Sequence, residues 1–285
     1  MTRRVALLGK PLRRRHSVLM HNAAFAAAGI DAEYVLAELD EEDVPAAVAS
    51  ARGPEFLGLG VTAPYKPLVA GLVDEVEGDA ATIGAVNNVV RTDDGRLVGF
   101  NTDAPGFRAA VELAMGRPIG GRAVFVAGAG GAAHAVAFAC LKAGAKDVTV
   151  ASRSIGAAAA LLERFVAVGT GERRAVALGE LGAIDALERA DLAVNATTVG
   201  MVDPGAAFDV DLLPPGATVF DLVYVPPETP LVANARARGL RAENGSEMLV
   251  QQAVIAFERW TGVRGMAPVM RAAVAPLLVD SAVRA

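Results

Sequence analysis

A lysine and an aspartate 37 positions apart carry side chains suited to proton transfer, and each ends a short polar motif. Lys66 ends the segment V-T-A-P-Y-K, and Asp103 ends the segment G-F-N-T-D. When hydride reaches a ketone carbon, the oxygen gains negative charge, so the transition state needs a nearby cation or proton donor. A lysine paired with an aspartate supplies both charge and positioning. The two motifs therefore predict a polar substrate site, and in combination with a dinucleotide site further along the chain they indicate a nicotinamide-dependent oxidoreductase. Which residue donates the proton stays open.

A glycine-rich turn further along the chain indicates a dinucleotide site. The apolar run Val124–Ala127 leads into G-A-G-G-A-A, in which Gly128, Gly130 and Ala133 fit the pattern G-x-G-x-x-G/A. Glycine permits the tight turn and lets the backbone approach a pyrophosphate, which the N-terminus of the following helix stabilises. Because the turn follows a predicted strand and opens a predicted helix over 132–143, we interpret it as a nicotinamide dinucleotide site.

The choice of cofactor depends on the end of the next predicted strand, Val148–Ala151. An acidic residue at that place would bind the ribose hydroxyls of NAD. This chain has Ser152, Arg153 and Ser154 there, with no carboxylate. Arg153 is suited to a 2′-phosphate, so the sequence favours NADP over NAD. The alternative is that Arg153 is a surface residue with no role.

Short apolar runs alternate with helical segments and predict parallel sheets that position these motifs. Buried strands are predicted over 5–8, 34–36, 56–61, 97–100, 124–127, 148–151, 192–194 and 218–220. A first helix is predicted over 18–28 with Ser17 as its N-cap, and another over 43–51. Because ligands of open α/β sheets bind outside the carboxyl ends of the strands, Lys66 and Asp103 are expected at one rim. We predict an α/β fold with two domains: an N-terminal α/β substrate domain with a parallel-rich sheet, and a Rossmann-type doubly wound dinucleotide domain.

The composition excludes several classes of function. Hydrophobic residues make up 53% of the 285 residues and aromatic residues 5%, which suits two modest domains with Ala, Val and Leu cores. The net charge of −5 argues against nucleic acid as a partner. Cys140 is the only cysteine, so no intrachain disulfide can form and a reduced compartment fits. The glycine turn divides the apolar stretch 123–141, and the histidines lack metal-ligand spacing. We expect a soluble cytoplasmic protein with no metal and no membrane contact.

Polar motifs along nearly the whole chain resemble those of the shikimate dehydrogenase family. The matching patterns occur in the family's order: V-T-x-P-x-K at 61–66, G-A-V-N-T at 84–88, G-x-N-T-D-x-x-G-F at 99–107, G-A-G-G-A at 128–132, N-A-T-x-x-G-M at 195–201, D-x-x-Y-x-P-x-x-T-P-L at 221–231 and G-x-x-M-L-x-x-Q at 245–252. Within the second pattern, Asn88 stands where the family has threonine, which we interpret as a tolerated turn variation.

The resemblance implies an enzyme that reduces the ring ketone of 3-dehydroshikimate with NADPH. It implies that Lys66 and Asp103 form the catalytic pair. The residues implied to hold ring hydroxyls or line the site are Thr62, Asn87, Asn101, Tyr224 and Gln252. Those implied to bind the cofactor are Gly128, Ala129, Gly130, Gly131, Ala132, Ser152, Arg153, Asn195, Thr197, Met201, Gly245 and Met248. By itself, each asparagine is also compatible with an ordinary turn residue, Tyr224 and Gln252 with interdomain residues, and each methionine with the core.

The resemblance also implies a division of the chain. Residues 1–104 are expected to form the substrate-binding and catalytic domain. Residues 105–240 are expected to form the NADP domain, and helices within 241–285 to return and complete the first domain. The implied partner is a small hydroxylated cyclohexene carboxylate, and the sequence leaves open whether the protein is a monomer or a homodimer.

The segment that should bind the substrate carboxylate departs from the family pattern G-x-P-I-x-H-S-x-S-P-x-x-H-N. Over Gly9–Asn22, Ser17 keeps the second serine, whereas Arg14 replaces the histidine, Arg15 the first serine and Val18 the proline. An arginine binds a carboxylate bidentately, so Arg15 and Ser17 are predicted to anchor it. The alternatives are a solvated basic turn, or an enzyme for quinate, an aminated analogue or another hydroxylated ring acid. A rival from another class is a catalytically silent sensor of such a ligand.

Overall fold

Each of two units of the chain is built on a six-stranded sheet. The computed structural model describes residues 2–12, 15–201 and 203–280. The first unit consists of Met1–Thr102 together with Val250–Pro276. The second unit consists of Asp103–Leu249 together with the residues from Leu277 onward.

The secondary structure alternates between strands and helices along most of the chain. The strands are Arg3–Gly9 (β1), Ala32–Glu38 (β2), Phe56–Val61 (β3), Glu75–Val76 (β4), Asn88–Arg91 (β5), Leu97–Phe100 (β6), Ala123–Ala127 (β7), Asp147–Ser152 (β8), Glu172–Ala177 (β9), Leu192–Asn195 (β10), Thr218–Asp221 (β11) and Arg241–Asn244 (β12). The helices are His16–Ala27 (α1), Val44–Ser50 (α2), Lys66–Ala70 (α3), Asp79–Ile83 (α4), Asp103–Met115 (α5), Gly131–Lys142 (α6), Ile155–Glu163 (α7), Leu181–Leu187 (α8), Pro230–Ala237 (α9), Ser246–Thr261 (α10) and Ala267–Asp280 (α11), with 3-10 turns at Glu41–Asp43 and Val210–Leu212.

The sheet of the first unit is parallel-rich, as predicted, but it is mixed. Its strand order is β2-β1-β3-β5-β6-β4. The pairs β2–β1, β1–β3 and β6–β4 are parallel, whereas β5 runs antiparallel to both of its neighbours. The strands β4 and β5 are not among the predicted ones, because the first has two residues and the second begins with asparagine, a residue depleted in strands.

The first helix begins earlier than predicted. It starts at His16, so Arg15 is its N-cap residue and Ser17 lies inside the first turn. The prediction that Ser17 caps this helix is therefore wrong, because the chain already turns into helical conformation one residue before it. The Arg15 side chain makes no capping hydrogen bond. Arg13 and Arg14, which belong to the predicted anion-binding segment, lie outside the described residues.

The second unit has the doubly wound topology that was predicted. Its sheet has the order β12-β11-β10-β7-β8-β9 and all of its strand pairs are parallel. Numbered from β7, this is the order 6-5-4-1-2-3, which reverses between β7 and β10. Dinucleotides bind at such a reversal, outside the carboxyl ends of the strands.

One boundary of the predicted domains is wrong. The segment from residue 241 onward was expected in the first domain, but Arg241–Asn244 forms β12 and pairs in register with β11 of the second sheet. Arg241 and Glu243 are exposed and Ala242 is buried, so the strand has the period of two that an edge strand shows. It was missed because only one of its residues is apolar. The first unit resumes at Val250, within α10.

Among the helices of the described residues, none has the length and apolar character needed to cross a membrane. The described part of the chain also brings together no group of three or more His, Cys, Asp or Glu residues suited to a metal ion.

Candidate active site

Four strands of the first unit bring their chemically important ends to one edge of the sheet. In the register of the sheet, Asn88 at the start of β5 lies between Gly60 of β3 and Phe100 of β6. Leu8 of β1 lies beside Val61 of β3. The loops after β1, β3 and β6, and the residue before β5, therefore emerge at the same edge.

The turn that carries Lys66 is held to this edge by backbone hydrogen bonds. The N–H of Thr62 donates to the Leu8 carbonyl at 2.9 Å, and the Tyr65 hydroxyl donates to the Leu39 carbonyl at 2.6 Å. Lys66 is half-buried and begins α3, and its carbonyl accepts the Val86 N–H at 3.1 Å. The backbone of the predicted catalytic lysine is thus tied to the strand that follows Val86.

A buried network of amide side chains and a threonine occupies the same edge. The Asn87 Oδ1 atom accepts hydrogen bonds from the Thr102 backbone N–H at 2.8 Å and from the Asn88 Nδ2 at 2.9 Å. The Thr102 hydroxyl oxygen accepts from the Nδ2 atoms of Asn87 at 3.0 Å and Asn88 at 2.9 Å. All three residues are buried. The interpretation of Asn88 as a turn variation is wrong, because it begins a strand and holds two partners.

The network extends to Gln252, and a separate hydrogen bond holds Asn101; the sequence predicted both residues. The Thr102 hydroxyl donates to Gln252 Oε1 at 3.4 Å, and Asn101 Nδ2 donates to the Ala85 carbonyl at 2.9 Å. Asp103 is half-buried and begins α5 directly after Thr102. Sequence reasoning missed Thr102 and Asn88 as site residues, although Thr102 lies in the N-T-D motif.

The predicted carboxylate anchor lies at the N-terminus of α1. Arg15 is exposed and Ser17 is half-buried. Upstream, the Leu12 N–H donates to Glu38 Oε2 at 2.7 Å, and Lys10 forms an ion pair with Asp40. Arg15 therefore remains accessible to a ligand at the end of a twelve-residue helix.

The glycine turn of the second unit has two separate parts. Gly128 has φ of 108°, and a Cβ atom there would lie 2.9 Å from Thr197 Cγ2 and 3.0 Å from the Ala196 carbonyl oxygen. Gly128 is thus required by the close approach of the loop after β10. In contrast, a Cβ on Gly130 or Gly131 would meet no described atom within 4 Å. These two glycines, at the N-terminus of α6, leave the backbone open to a pyrophosphate, so the turn fits a dinucleotide.

The remaining predicted cofactor residues near this turn follow β7 and β8, which are neighbouring strands. The Gly128 N–H donates to the Ala151 carbonyl at 2.8 Å, so the glycine turn and the segment from Ser152 start side by side. Arg153 is exposed, while Ser152 Oγ accepts the Ser154 N–H at 3.3 Å. Ala129 is half-buried and Ala132 is exposed. The segment Ser152–Ser154, which follows the strand next to the glycine turn, thus presents an arginine and contains no carboxylate.

The side chain of Asn195 is bound to its own chain, and its contact with a cofactor stays a prediction. Its Nδ2 donates to the Val199 carbonyl at 3.1 Å and to Asp221 Oδ1 at 2.8 Å. Its Oδ1 accepts from the N–H and hydroxyl of Thr197 at 2.9 and 2.7 Å. The amide is completely buried and its hydrogen-bonding capacity is used. Asn195 therefore shapes the loop of Thr197.

Asp221 continues this support network at the end of β11. Its carboxylate also accepts the Val223 N–H at 3.0 Å and the hydroxyl of Thr229 at 2.6 Å, and it is completely buried. Burial raises the pKa of Asp221, although the hydrogen bonds from Thr229, Val223 and Asn195 act in the opposite direction. The network fixes the loop that contains Tyr224.

The last predicted residues are distributed over both units. Tyr224, Met201 and Met248 are half-buried residues of the second unit, whereas Gln252 belongs to the first. Gly245 is buried, and a Cβ there would lie 2.3 Å from the Leu222 carbonyl oxygen. This glycine is therefore required by chain packing, whatever it contributes to a cofactor.

Comparisons with known proteins place the chain in a family. Two family models match: the shikimate dehydrogenase substrate binding domain over residues 7–89, and the shikimate 5′-dehydrogenase C-terminal domain over residues 245–275. The shikimate dehydrogenase (NADP(+)) of Geobacillus kaustophilus is 40% identical over 261 residues, which cover 90% of this chain and 91% of the relative. That of Rubrobacter xylanophilus is 44% identical over 262 residues, covering 91% and 90%. The chain belongs to the shikimate dehydrogenase family.

Solved structures of shikimate dehydrogenase family members share the fold. The shikimate 5-dehydrogenase of Thermus thermophilus, solved in complex with NADP(H) and shikimate, is 36% identical, with a TM-score of 0.84 over 96% of this chain and 99% of that one. A quinate dehydrogenase from Corynebacterium glutamicum, in complex with NAD, is 35% identical, with a TM-score of 0.88 over 96% and 99%. The sequence-based recognition of the family and of the two-domain α/β fold is confirmed.

Proposed function

We propose that the protein is a shikimate dehydrogenase, which reversibly reduces 3-dehydroshikimate to shikimate with NADPH. The observation that carries the proposal is the polar edge of the first sheet. There the turn of Lys66 and the buried network of Asn87 and Thr102 are joined by backbone hydrogen bonds. Membership in the shikimate dehydrogenase family supports the reduction of a ring ketone as the reaction at this edge. The reaction is a step in the biosynthesis of chorismate and the aromatic amino acids.

The chain's own residues supply binding and charge. Thr62, Asn87, Asn101 and Gln252 are proposed to bind the ring hydroxyls, with Tyr224 lining the site. Bound NADPH supplies the hydride. Lys66 and Asp103 act on the reacting oxygen, where an ammonium group stabilises the developing negative charge and one of the pair transfers the proton.

The second unit supports NADP as the cofactor. Gly130 and Gly131 leave the N-terminus of α6 open, and the positive end of a helix favours a pyrophosphate. Arg153 stands beside the glycine turn and suits a 2′-phosphate. Thr197 and its neighbours form the facing loop, which Asn195 holds in place.

Arg15 and Ser17 are proposed to anchor the substrate carboxylate. Arg15 is exposed at the N-terminal end of α1, where a guanidinium and the helix dipole both favour an anion. Replacement of Arg15 by serine, the residue of the family pattern, tests this role. A raised KM for dehydroshikimate at unchanged kcat supports the anchor, and an unchanged KM refutes it.

Quinate is the second candidate substrate. Arg15 departs from the family's carboxylate segment, and the quinate dehydrogenase is as similar to this chain as the shikimate enzyme, at 35% and 36% identity. Quinate carries a hydroxyl on the carbon that bears the carboxylate, so a changed carboxylate anchor is the place where selectivity between the two acids would arise.

Initial rates of cofactor reduction, with shikimate against quinate and NADP against NAD, test the proposal. We expect turnover of shikimate with NADP, and a fall in kcat of about 10²- to 10⁴-fold in Lys66→Ala. Lys146→Ala removes an exposed lysine of the second unit and is the matched control. Turnover of quinate alone would move the assignment to quinate dehydrogenase. Binding of either acid without turnover would favour a ligand sensor.

The proposed location is the cytoplasm. Cys140, the only cysteine, is buried, and burial raises the pKa of its thiol to about 12. A thiol of this kind is inert and needs no oxidising compartment.

A further inference from the structure

Asn88 is the residue at which this chain departs from the family pattern inside the buried network. It begins β5, it is 4% exposed, and its side chain contacts Asn87 and Thr102. We propose that Asn88 is a positioning residue that sets the hydrogen-bond polarity of the substrate-binding amide of Asn87. This inference rests on the proposed function.

The backbone of Thr102 fixes the orientation of both asparagine amides. Its N–H is necessarily a donor, and it lies 2.8 Å from the Asn87 Oδ1 atom. If the Asn87 amide were reversed, two donors would face each other, so Oδ1 must point to Thr102. The Asn88 atom 2.9 Å from that same Oδ1 must then be a donor, which is Nδ2. No freedom to flip remains in either side chain.

The direction of the Thr102 hydroxyl hydrogen is also determined by its neighbours. Its oxygen accepts one hydrogen bond from Asn87 Nδ2 and one from Asn88 Nδ2, which together use both lone pairs. Its single hydrogen is therefore directed to Gln252 Oε1. The Gln252 Oε1 atom faces Thr102 because Asn87 and Asn88 each donate one hydrogen bond to the Thr102 hydroxyl oxygen.

The orientation of the Asn87 amide determines which kind of hydrogen bond it can form with a ligand. Both lone pairs of Asn87 Oδ1 are occupied by Asn88 and Thr102, so every further hydrogen bond of the Asn87 side chain is a donated one. A hydrogen bond between the Asn87 side chain and the substrate is therefore one that Nδ2 donates to an oxygen of the substrate. A threonine at position 88, as in the family pattern, has one hydrogen to donate, whereas the Asn88 amide has two and uses both.

Asn88→Asp is the sharpest test because it keeps the shape and removes both donors. Its carboxylate would face the Asn87 Oδ1 atom, and a reversal of Asn87 to relieve this contact would leave the Thr102 N–H facing a donor. We expect the KM for shikimate to rise about tenfold to a hundredfold. The KM for NADP should change by less than about twofold, since the cofactor residues lie in the second unit.

The pH dependence separates polarity from packing. When the carboxyl group introduced by Asn88→Asp is protonated, its O–H can again donate to Asn87 Oδ1. The ratio of the variant's KM to the wild-type KM should therefore fall as the pH is lowered. A purely structural role of position 88 predicts a ratio that does not change with pH.

Three further variants complete the experiment. Asn88→Thr keeps one donor and should raise KM by no more than about threefold, whereas Asn88→Ala keeps none and should exceed it. Asp74→Asn is the control for destabilisation, because Asp74 accepts the Leu97 N–H at 2.7 Å in the same unit, at the start of β6 and so at the end of that strand opposite to Asn101. It should lower stability without changing the KM for shikimate. Fluorescence of Trp260, the only tryptophan, reports that each variant is folded.

The outcomes are distinct. A folded Asn88→Asp with a KM within about twofold of wild type overturns the positioning role, and if that variant does not fold, Asn88→Ala decides in the same way. Equal increases of KM in Asp74→Asn and Asn88→Asp also overturn it, because they indicate general destabilisation. Absence of shikimate turnover in the wild-type protein refutes the proposed function and, with it, this role.

Discussion

Acid is expected to destabilise the first unit through one buried histidine. His21 of α1 is 2% exposed, and its ring stacks on Tyr34 at 4.5 Å and meets Trp260 edge-on at 5.1 Å. In the described residues its Nδ1 atom has no hydrogen-bond partner. Burial lowers the pKa of His21 from 6.5 to about 3. Burial raises the pKa of Tyr34, so the neighbouring ring stays neutral over the same range.

The sign and size of the effect follow from proton linkage. Below pH 6.5 the unfolded chain takes up a proton at His21 that the folded chain does not, so the free energy of unfolding falls as the pH falls. With pKa values of 6.5 unfolded and about 3 folded, the loss is about 2 kcal/mol at pH 5. The loss is about 4 kcal/mol at the folded pKa and approaches about 5 kcal/mol below it. Above pH 6.5 this contribution to stability is fully present.

Urea unfolding followed by Trp260 fluorescence measures this loss, because the only tryptophan lies in the first unit. His21→Phe keeps an aromatic ring in the cluster and removes the titrating group. Between pH 7.5 and pH 5, the variant should lose about 2 kcal/mol less than the wild type. Phe25→Leu is the control, since Phe25 packs 5.1 Å from Phe257 in the same cluster and does not titrate. Equal pH slopes in wild type and His21→Phe would refute the reasoning.

Four substitutions in the second unit have separable outcomes. Gly128→Ala should cost about 2 kcal/mol or more in urea unfolding, because φ is positive and the added methyl meets the loop of Thr197. Gly131→Ala adds a methyl in open space, so it should leave the free energy of unfolding unchanged and raise the KM for NADP. A lower stability with an unchanged KM would contradict the distinction between Gly128, which packing requires, and Gly131, which is open to the cofactor. Arg153→Ala should raise the KM for NADP about tenfold and leave that for NAD unchanged, whereas equal effects would exclude a 2′-phosphate contact. Asp221→Asn should lower the free energy of unfolding by about 1–3 kcal/mol, because an amide cannot accept all the hydrogen bonds that the carboxylate accepts, and a smaller change would contradict the network.

The sequence predicted the sheets where apolar runs are continuous and missed strands where they are not. β1, β3, β6, β7 and β8 are recognisable because parallel strands buried on both faces are apolar throughout. β5 begins with a polar residue that serves the site, and β12 alternates exposed charges with one alanine. The misplaced domain boundary has the same cause, since a strand without an apolar run gives no signal of the sheet it joins.

Motifs predicted which positions matter in the site, but not what each residue does there. A motif records only that a position needs a particular polar group, and that need is the same for a ligand contact and for a buried hydrogen bond. Asn87 and Asn195 are both motif asparagines, and the sequence alone does not distinguish their roles. Their hydrogen bonds distinguish them. The Asn195 side chain uses all its donors and acceptors in bonds to its own chain. The Oδ1 atom of Asn87 already accepts two hydrogen bonds, so its side chain can act only as a donor in any further bond.

The two units use the same physical solution for loops that must be ordered without regular structure. At the edge of each sheet, a buried side chain accepts the backbone N–H groups that a strand or helix would otherwise satisfy: Asn87 for Thr102, Asn195 for Thr197 and Asp221 for Val223. A buried polar group without a partner costs free energy, so each such loop has one favourable conformation. It follows that loss of a supporting residue should also disturb the ligand contact of its neighbour. In each unit, the conformation of the loops that carry the proposed ligand contacts therefore depends on these buried hydrogen bonds.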